Sequence, residues 1–519
     1  TVEFVNNNST VTPGLGISFG NVVIGSAVTV TLAGNIKVGG DWTNNNGYLN
    51  AATYQVTFDA PGPTGQFING TSSTVFYDVY FTVGSIYTME IDNTVNNISF
   101  RDNTRGRANS LTLGDGNPTL TVNGNMTIYQ PDVAAGGAIV NGLYVYGGTA
   151  NIAGNVTFYN DGGGAGKTTI IQVSSGDLNI QGAVTFPVNA NDAVHVINLN
   201  GSGNINFNST VETAGTPTVF NDGTISLTDL GVINFAQKFN MNGGTLNVSS
   251  GGTVNFQKAA DAFSFSNGSV ASFNTYSGSV IKFNGNLTTT AALTLAPESE
   301  SYFTGNATIT PNTLTLGHVI INPGVSLTLA GNIAVVNNWT NNGGTFIPST
   351  NTVSFTGAYP KIITSAGGTE TFYNLTANTT NLITFESNTD VIISNNLNMT
   401  AGSFDLNGRT LQLGNGSEAN LTRTTGTLFG GTFMRYIASG SGVSSSAGSF
   451  DGLFPIGTET DYRPVMINSS SNPTGSGYIS VSHTNLSSVS DVAYTDNNGD
   501  AIQRVTDMKT TLTTSGGFA

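Results

Sequence analysis

The residues of this chain that are best suited to chemistry are carboxylates placed two positions apart. Three such pairs occur: Glu90 and Asp92, Glu298 and Glu300, and Glu459 and Asp461. Residues i and i+2 of a strand point to the same face, so each pair sets two carboxylates side by side. That spacing is compatible with glycosidase chemistry and with part of a calcium site. We interpret the pairs as solvated surface groups, with calcium binding at Glu298 and Glu300 as the main alternative.

A second candidate calcium site is the polar stretch Asp496-Asn497-Asn498-Gly499-Asp500. Asp496, Asn498 and Asp500 would supply its side-chain oxygens, although the distal bidentate glutamate of an EF-hand is missing. Apart from calcium, the sequence predicts no cofactor. The chain has no cysteine, which excludes thiolate zinc sites and a thiol nucleophile.

The only cluster of basic residues in this acidic chain consists of Arg101, Arg105 and Arg107. We interpret this cluster as a solvated loop held by Asp102. The alternative is a site for an anionic ligand such as an acidic sugar, because guanidinium groups pair well with carboxylates.

The two tryptophans, Trp42 and Trp339, are the remaining candidates for ligand contact. A buried indole fills a corner of the core and donates its N–H to a polar partner, whereas an exposed one offers a flat face to a sugar ring. We expect core packing for both residues and keep glycan stacking as the alternative.

The three histidines lack neighbours at the spacing of a catalytic triad or a metal site. His195 lies in an alternating stretch and is placed to face outward, and His483 is isolated near the C-terminus. His318 aligns with Asn21 of an internal repeat described below, so we interpret it as structural. The sequence therefore predicts no hydrolase or lyase activity.

Composition limits the class of protein. Only 9% of the 519 residues are charged and 66 are glycine, a profile typical of turn-rich β proteins. The net charge of −15 disfavours nucleic acid as a partner. No apolar run reaches the length of a membrane-spanning helix. Zero cysteine in a chain of this length suits an exported protein.

Short alternating stretches such as Val254-Asn255-Phe256 indicate strands with one buried face. A glycine, often followed by asparagine, precedes many of them, and neighbouring copies are about 20 to 30 residues apart, the length of one coil of a β-solenoid. The sequence thus predicts an all-β fold, a right-handed parallel β-helix. In such a fold like residues stack as ladders, apolar ones inside and asparagines at the turns.

A long internal duplication supports this prediction. Residues 20–58 align with 317–355 at a constant offset of 297 positions, with 19 identities among 39 aligned residues. We therefore expect both segments to follow the same backbone path, with six core ladder residues: Ile36, Val56, Phe58, Ile333, Val353 and Phe355.

The pattern changes near Gly426, where the Gly-Asn signature stops. We predict a solenoid over residues 1–425 and a small β module or cap over residues 426–519. Four residues are expected to cover the last coil: Phe454, Ile456, Tyr462 and Val465. A terminal coil needs such a cover because its unpaired backbone groups otherwise template aggregation.

The Gly-Asn strand entries, the Trp-Thr-Asn-Asn turn and the segment Phe-Pro-Ile-Gly-Thr…Tyr-Arg-Pro resemble the large repetitive extracellular proteins of Bacteroidota. That family is exported by the type IX secretion system and often acts as surface adhesins or filament components. The resemblance implies a piece of a larger polypeptide at a bacterial cell surface. Its implied partners are extracellular glycans, the secretion machinery or other copies of the chain.

Two functions follow from these observations. The first is a non-enzymatic structural or adhesive solenoid, serving as a stalk, an adhesin segment or a filament subunit. The alternative is a parallel β-helix protein that binds or cleaves glycans.

Overall fold

The computed structural model describes residues 1–5, 8–14, 17–60, 65–101, 108–114, 116–131, 139–160, 167–188, 194–213, 218–266, 270–444, 451–485, 494–495, 501–502 and 508–516. The regular secondary structure in these ranges consists of β-strands alone. The chain divides into two compact units, Thr1–Gly285 and Asn286–Ala519.

The first unit is built from three long parallel sheets. Sheet 1 contains Val2–Phe4, Val22–Ile24, Trp42–Asn44, Gln66–Gly70, Ile86–Met89, Ser110–Leu113, Ile139–Val145, Lys167–Val173, Val194–Leu199, Thr224–Leu227, Thr245–Val248 and Ser272–Thr275. Sheet 2 contains Thr74–Val75, Asn93–Val95, Thr119–Val122, Thr149–Ile152, Asp177–Ile180, Asn204–Phe207, Val232–Phe235, Thr253–Phe256 and Val280–Phe283. Sheet 3 contains Ser18–Phe19, Ile36–Val38, Gln55–Phe58, Asp78–Phe81, Asn97–Phe100, Met126–Tyr129, Val156–Tyr159, Val184–Phe186 and Val211–Thr213. Shorter parallel stacks complete the unit: Ser9–Val11, Thr29–Leu32 and Tyr48–Asn50, and then Phe239–Met241 and Phe263–Phe265.

The second unit repeats this design and then changes it. Its sheet 4 contains Leu287–Thr289, Ala307–Thr310, Ser326–Leu329 and Thr345–Ile347. Sheet 5 contains Glu300–Phe303, His318–Ile321, Trp339–Asn341, Lys361–Ser365, Ile383–Phe385, Phe404–Asp405 and Leu428–Phe429. Sheet 6 contains Ala292–Thr294, Thr313–Leu316, Ile333–Val335, Thr352–Gly357, Thr369–Thr379, Asp390–Ala401, Thr410–Leu413, Asn420–Arg423, Thr432–Ile437, Gly477–Asn485 and Met508–Gly516. Two short pairs remain: Leu453–Phe454 with Val465–Met466, and Tyr494–Thr495 with Ala501–Ile502.

Along most of the first unit each coil runs once through sheets 1, 2 and 3, and each strand pairs in parallel with its counterpart one coil away. Val79, for example, pairs with Val56 on one side and with Ile98 on the other. Alternate residues of the strands are buried, as the period-two pattern requires. The prediction of an all-β parallel solenoid is confirmed.

Inward residues stack into ladders of like side chains. In sheet 2, Phe207, Phe235, Phe256 and Phe283 occupy one register position, with ring centroids 5.1, 5.5 and 5.5 Å apart. Offset stacking of this kind adds stabilisation beyond the burial of apolar area. All six predicted core ladder residues are buried.

The Gly-Asn signature has a direct structural cause. The Oδ1 atom of the asparagine accepts a hydrogen bond from the backbone N–H at the equivalent position of the next coil. Asn35 accepts from Gln55 at 2.9 Å, Asn125 from Asn155 at 2.8 Å, and Asn155 from Ala183 at 2.9 Å. Each such asparagine therefore links two coils.

The preceding glycine is required by close packing of successive turns. A Cβ atom at Gly154 would lie 2.3 Å from the carbonyl oxygen of Gly124, and one at Gly182 would lie 2.3 Å from that of Gly154. Side chains cannot be accommodated at these distances, so the turns stack through bare backbone.

A second asparagine ladder lies on the outer face of sheet 2, on strand positions instead of turns. Asn179, Asn206, Asn234 and Asn255 each donate Nδ2–H to the Oδ1 of the asparagine one coil earlier, beginning at Asn151, at 2.6 to 2.8 Å. The ladder of like asparagines that was expected at the turns is therefore found on strand positions, whereas the turn asparagines bond to backbone N–H groups.

The duplicated segments adopt the same local structure, each within its own unit. Strands of residues 20–58 recur 297 positions later with the same partners: Val22 pairs with Trp42 as Val319 pairs with Trp339. The turns agree as well, since Ala52 and Ser349 have φ values of 50° and 53°. These strand pairs and turns agree with the predicted shared backbone path.

Parallel stacking in the second unit continues to Thr432–Ile437, and antiparallel pairing begins when that strand meets Gly477–Asn485. The change of pairing therefore falls beyond residue 426. The segment between these strands packs on the last coil: Leu428 N–H donates to Pro455 O at 2.9 Å, and Phe433 and Phe454 contact edge to face at 5.6 Å.

Two of the four predicted covering residues, Phe454 and Ile456, are buried as a cap requires. Tyr462 is different: it is 39% exposed, and the guanidinium of Arg423 lies 3.5 Å from its ring centroid. That cation–π contact places the Tyr462 ring against the strand Asn420–Arg423, with one part of the ring at the surface.

Candidate functional site

Both tryptophans are core residues. Trp42 is 1% exposed and Trp339 is fully buried, and each is surrounded by phenylalanines, Phe76 at 5.1 Å from Trp42 and Phe346 at 4.6 Å from Trp339. A sugar ring has no access to either indole face. The glycan-stacking alternative is therefore wrong for Trp42 and Trp339, and the packing interpretation holds.

Glu298 and Glu300 lie at the start of a sheet 5 strand, Glu298 exposed and Glu300 half-buried. The Glu300 carboxylate accepts a hydrogen bond from the Tyr302 hydroxyl at 3.0 Å. Glu300 also pairs in register with His318. Burial lowers the pKa of His318 despite the two nearby carboxylates.

Among the residues that the structure describes, no three histidine or acidic side chains converge as a metal site would require. The pair Glu298 and Glu300 thus stands without a third carboxylate. The other calcium candidates, Asp496, Asn498 and Asp500, lie outside the described residues.

Of the basic cluster, Arg101 is described, whereas Arg105 and Arg107 lie outside the described residues. Arg101 follows a sheet 3 strand, and its guanidinium carbon lies 4.7 Å from the ring centroid of Tyr129. Tyr129 in turn contacts Tyr159 at 5.1 Å, and Tyr159 is 48% exposed. We name this row the Arg-Tyr stack.

Sequence reasoning missed the two tyrosines of the Arg-Tyr stack. The available signal was their spacing, since Tyr129 and Tyr159 end successive paired strands of sheet 3. In a solenoid such positions lie one above the other, so a repeat alignment places the two rings together.

His195 faces inward, which corrects the outward orientation expected from the sequence. It is 2% exposed and ends a buried polar ladder of five rungs, formed by Ser85, Asn109, Asn141, Thr169 and His195. Asn141 Oδ1 accepts from Asn109 N–H at 2.8 Å, and Thr169 Oγ1 lies 2.7 Å from His195 Nδ1. Burial lowers the pKa of His195 to about 4, so the ring is neutral at pH 7.

The signal for this orientation was present in the strand itself. Ile197 and Leu199 are two and four residues beyond His195 and share its face. Both are fully buried.

A cavity of about 420 Å³ opens beside His195 in the first unit. Its wall comes from strand ends and turns of sheet 1: Val194, His195, Asn221, Asp222, Gly223, Thr224, Gly244, Thr245 and Val270. We name it the sheet 1 cavity.

A larger cavity, of about 790 Å³, lies in the second unit and is lined in part by the Gly-Thr…Tyr-Arg segment. It brings together Glu459, Asp461, Arg463 and His483, and an ion pair of 3.1 Å joins Asp461 to Arg463. The prediction that His483 is isolated is therefore wrong, because antiparallel pairing carries its strand to this segment.

Comparison of the chain with known protein families, with curated proteins and with solved structures finds no match. In the described part of the chain, no helix of membrane-spanning length and hydropathy occurs.

Proposed function

We propose that this chain is a non-enzymatic extracellular solenoid with a structural and adhesive role, a stalk, adhesin segment or filament subunit at a bacterial surface. The observation that carries the proposal is the continuity of the coil-to-coil ladders. Asparagine, phenylalanine and backbone ladders each link successive coils at the same register. Such a design favours stiffness along the axis and leaves the outer faces for contacts.

Outside the cavity of the second unit that holds Glu459, Asp461, Arg463 and His483, the reactive side chains considered above lie apart, and this supports a non-enzymatic role. Glu300 accepts a hydrogen bond from Tyr302, and His195 is held by Thr169. These groups are engaged in local contacts on different coils. An acid–base mechanism needs two such groups facing one substrate atom.

Glycan binding is the second candidate, and the Arg-Tyr stack favours it. An exposed tyrosine ring accepts the C–H face of a sugar, and a neighbouring guanidinium pairs with a carboxylate on it. Binding of this kind is compatible with an adhesin and requires no catalytic residues.

The test uses the bacterium that encodes the chain. Antibodies against residues 1–425 should label intact cells, and deletion of the gene should reduce attachment of the cells to a glycan-coated surface. Complementation with the intact gene should restore attachment. Labelling only after lysis, or unchanged attachment in the deletion strain, would contradict the proposal.

A further inference from the structure

The sheet 1 cavity has the chemistry of a binding site for a small polar ligand. Its volume of about 420 Å³ falls in the range of roughly 300 to 1,000 Å³ that is usual for ligand pockets. Its wall combines a carboxylate, an amide and two hydroxyls, from Asp222, Asn221, Thr224 and Thr245.

Two valines give the cavity an apolar side. Val194 is 45% exposed and Val270 is 59% exposed, so both offer apolar surface beside the polar wall. A ligand that covers them gains from the burial of apolar area. The ligand therefore needs both an apolar face and several hydrogen-bonding groups.

The charge of the wall narrows the ligand further. His195 is neutral at pH 7 because burial lowers its pKa to about 4, so Asp222 carries the one formal charge among the described lining residues. One Asp222 oxygen already accepts the N–H of Gly223 at 2.7 Å. A carboxylate in this setting accepts hydrogen bonds from hydroxyls and repels an anionic ligand.

We infer that the sheet 1 cavity binds one neutral pyranose unit of a glycan. The sugar hydroxyls bond to Asp222, Asn221 and Thr245, and its C–H face lies against Val194 and Val270. This inference rests on the adhesive function proposed above and names the ligand class and a site for it. A bare cation is a poorer fit, because the described residues group no three acidic or histidine ligands.

The experiment is saturation-transfer NMR on the full chain with methyl glycosides of glucose, galactose, mannose and N-acetylglucosamine as probes. At least one probe should bind saturably, and Asp222→Ala should weaken its binding by about tenfold or more, because a hydrogen bond to a charged group is lost. Val270→Trp, a change at an exposed position, should block the cavity and abolish binding.

Asp229→Ala is the matched control. The Asp229 carboxylate accepts the N–H of the next residue at 2.8 Å, as Asp222 does, but Asp229 does not line the cavity. Binding should be unchanged in this variant. Absence of binding by all four probes, or binding that survives both Asp222→Ala and Val270→Trp, would overturn the inference, as would loss of binding in EDTA.

These outcomes are separable from those of the proposed function. Cells that attach through the chain while the four glycosides fail to bind would contradict the cavity site alone. Unchanged attachment in the deletion strain would contradict the proposed function, whether or not the purified chain binds a glycoside.

Discussion

Trp42 donates its indole N–H to the hydroxyl of Thr74 at 3.0 Å. Downstream of the duplicated segments, Phe76-Tyr77 recurs as Phe372-Tyr373 at an offset of 296, and the same offset aligns Thr74 with Glu370. Glu370 is 2% exposed, and Trp339 and Asn341 lie close enough to interact with its carboxyl group electrostatically. The Trp339 indole makes no hydrogen bond of normal geometry. The second copy thus contains a buried titratable group that the first copy lacks.

The pKa of Glu370 is raised to about 7, chiefly by burial. A raised carboxyl pKa means that the folded state binds the proton more tightly than the unfolded state. Protonation of Glu370 therefore stabilises the folded state. This stabilisation is fully present below pH 4.5, and on the order of 3 kcal/mol of it is lost as the pH rises toward 7.

We predict that Glu370→Gln removes this pH dependence, because an amide of the same size does not titrate. Opening free energies from hydrogen exchange in strand Thr369–Thr379 should fall from pH 4.5 to pH 7 in the wild type and stay level in the variant. Glu298→Gln, an exposed carboxylate in the same unit, serves as control and should behave like the wild type. Parallel pH profiles in wild type and Glu370→Gln would refute the prediction.

His195 should give the opposite dependence in the first unit. Its pKa is lowered from 6.5 to about 4 by burial, so the unfolded state binds the proton more tightly. Local stability is retained above pH 6.5 and lost as pH falls toward 4. We predict that His195→Asn, which copies the Asn109 and Asn141 rungs, abolishes this loss.

The measurement is hydrogen exchange of strand Val194–Leu199 between pH 4 and pH 7. Thr169 remains in both proteins, and the asparagine retains a polar group for it to contact. If strand Val194–Leu199 loses as much local stability at low pH in the variant as in the wild type, His195 is not the responsible group.

The fold was predictable because it is encoded by repetition. The Gly-Asn signature, the alternation of strands such as Val254-Asn255-Phe256 and the duplication each indicate stacked coils. The local chemistry was less predictable. Glu370 aligns with Thr74 in the sequence, but acidic residues are seldom buried, and only the packed coils reveal that this one is.

Sequence patterns do not predict the cavities, for a related reason. Asp222 and Val270 are far apart in the chain and meet because coils stack, with turns of unequal length between the strands. Periodicity predicts which face of a sheet a residue occupies, but it does not predict where stacked coils leave a cavity.

Each hydrogen bond in the outer asparagine ladder of sheet 2 should contribute a similar free energy to local stability. Asn206 donates to Asn179 and accepts from Asn234, both at 2.7 Å, whereas Asn151 at the end of the ladder bonds only to Asn179 within it. A net hydrogen bond contributes about 1 kcal/mol.

We predict that Asn206→Ala costs about 2 kcal/mol of local opening free energy and Asn151→Ala about 1 kcal/mol. Hydrogen exchange should change only in the coils next to the substituted one, because each coil contacts its neighbours alone. Equal costs at the two positions, or an effect spread along the whole unit, would contradict the ladder description.

The C-terminal segment should act as a cap on the last parallel strands. Strand Thr432–Ile437 pairs in parallel on one side and with Gly477–Asn485 on the other, and Phe454 covers Phe433 at 5.6 Å. A chain that ends at Ile437 keeps every pair of parallel strands but exposes a strand edge and the Phe433 side chain. Unpaired edges of this kind recruit further strands.

We therefore predict that the shortened chain associates in a concentration-dependent way, measured by sedimentation velocity, whereas the full chain at equal concentration associates less. A shortened chain that stays monomeric and folded would refute the capping role, and Phe454→Asp in the full chain should reproduce part of the association by weakening the same contact.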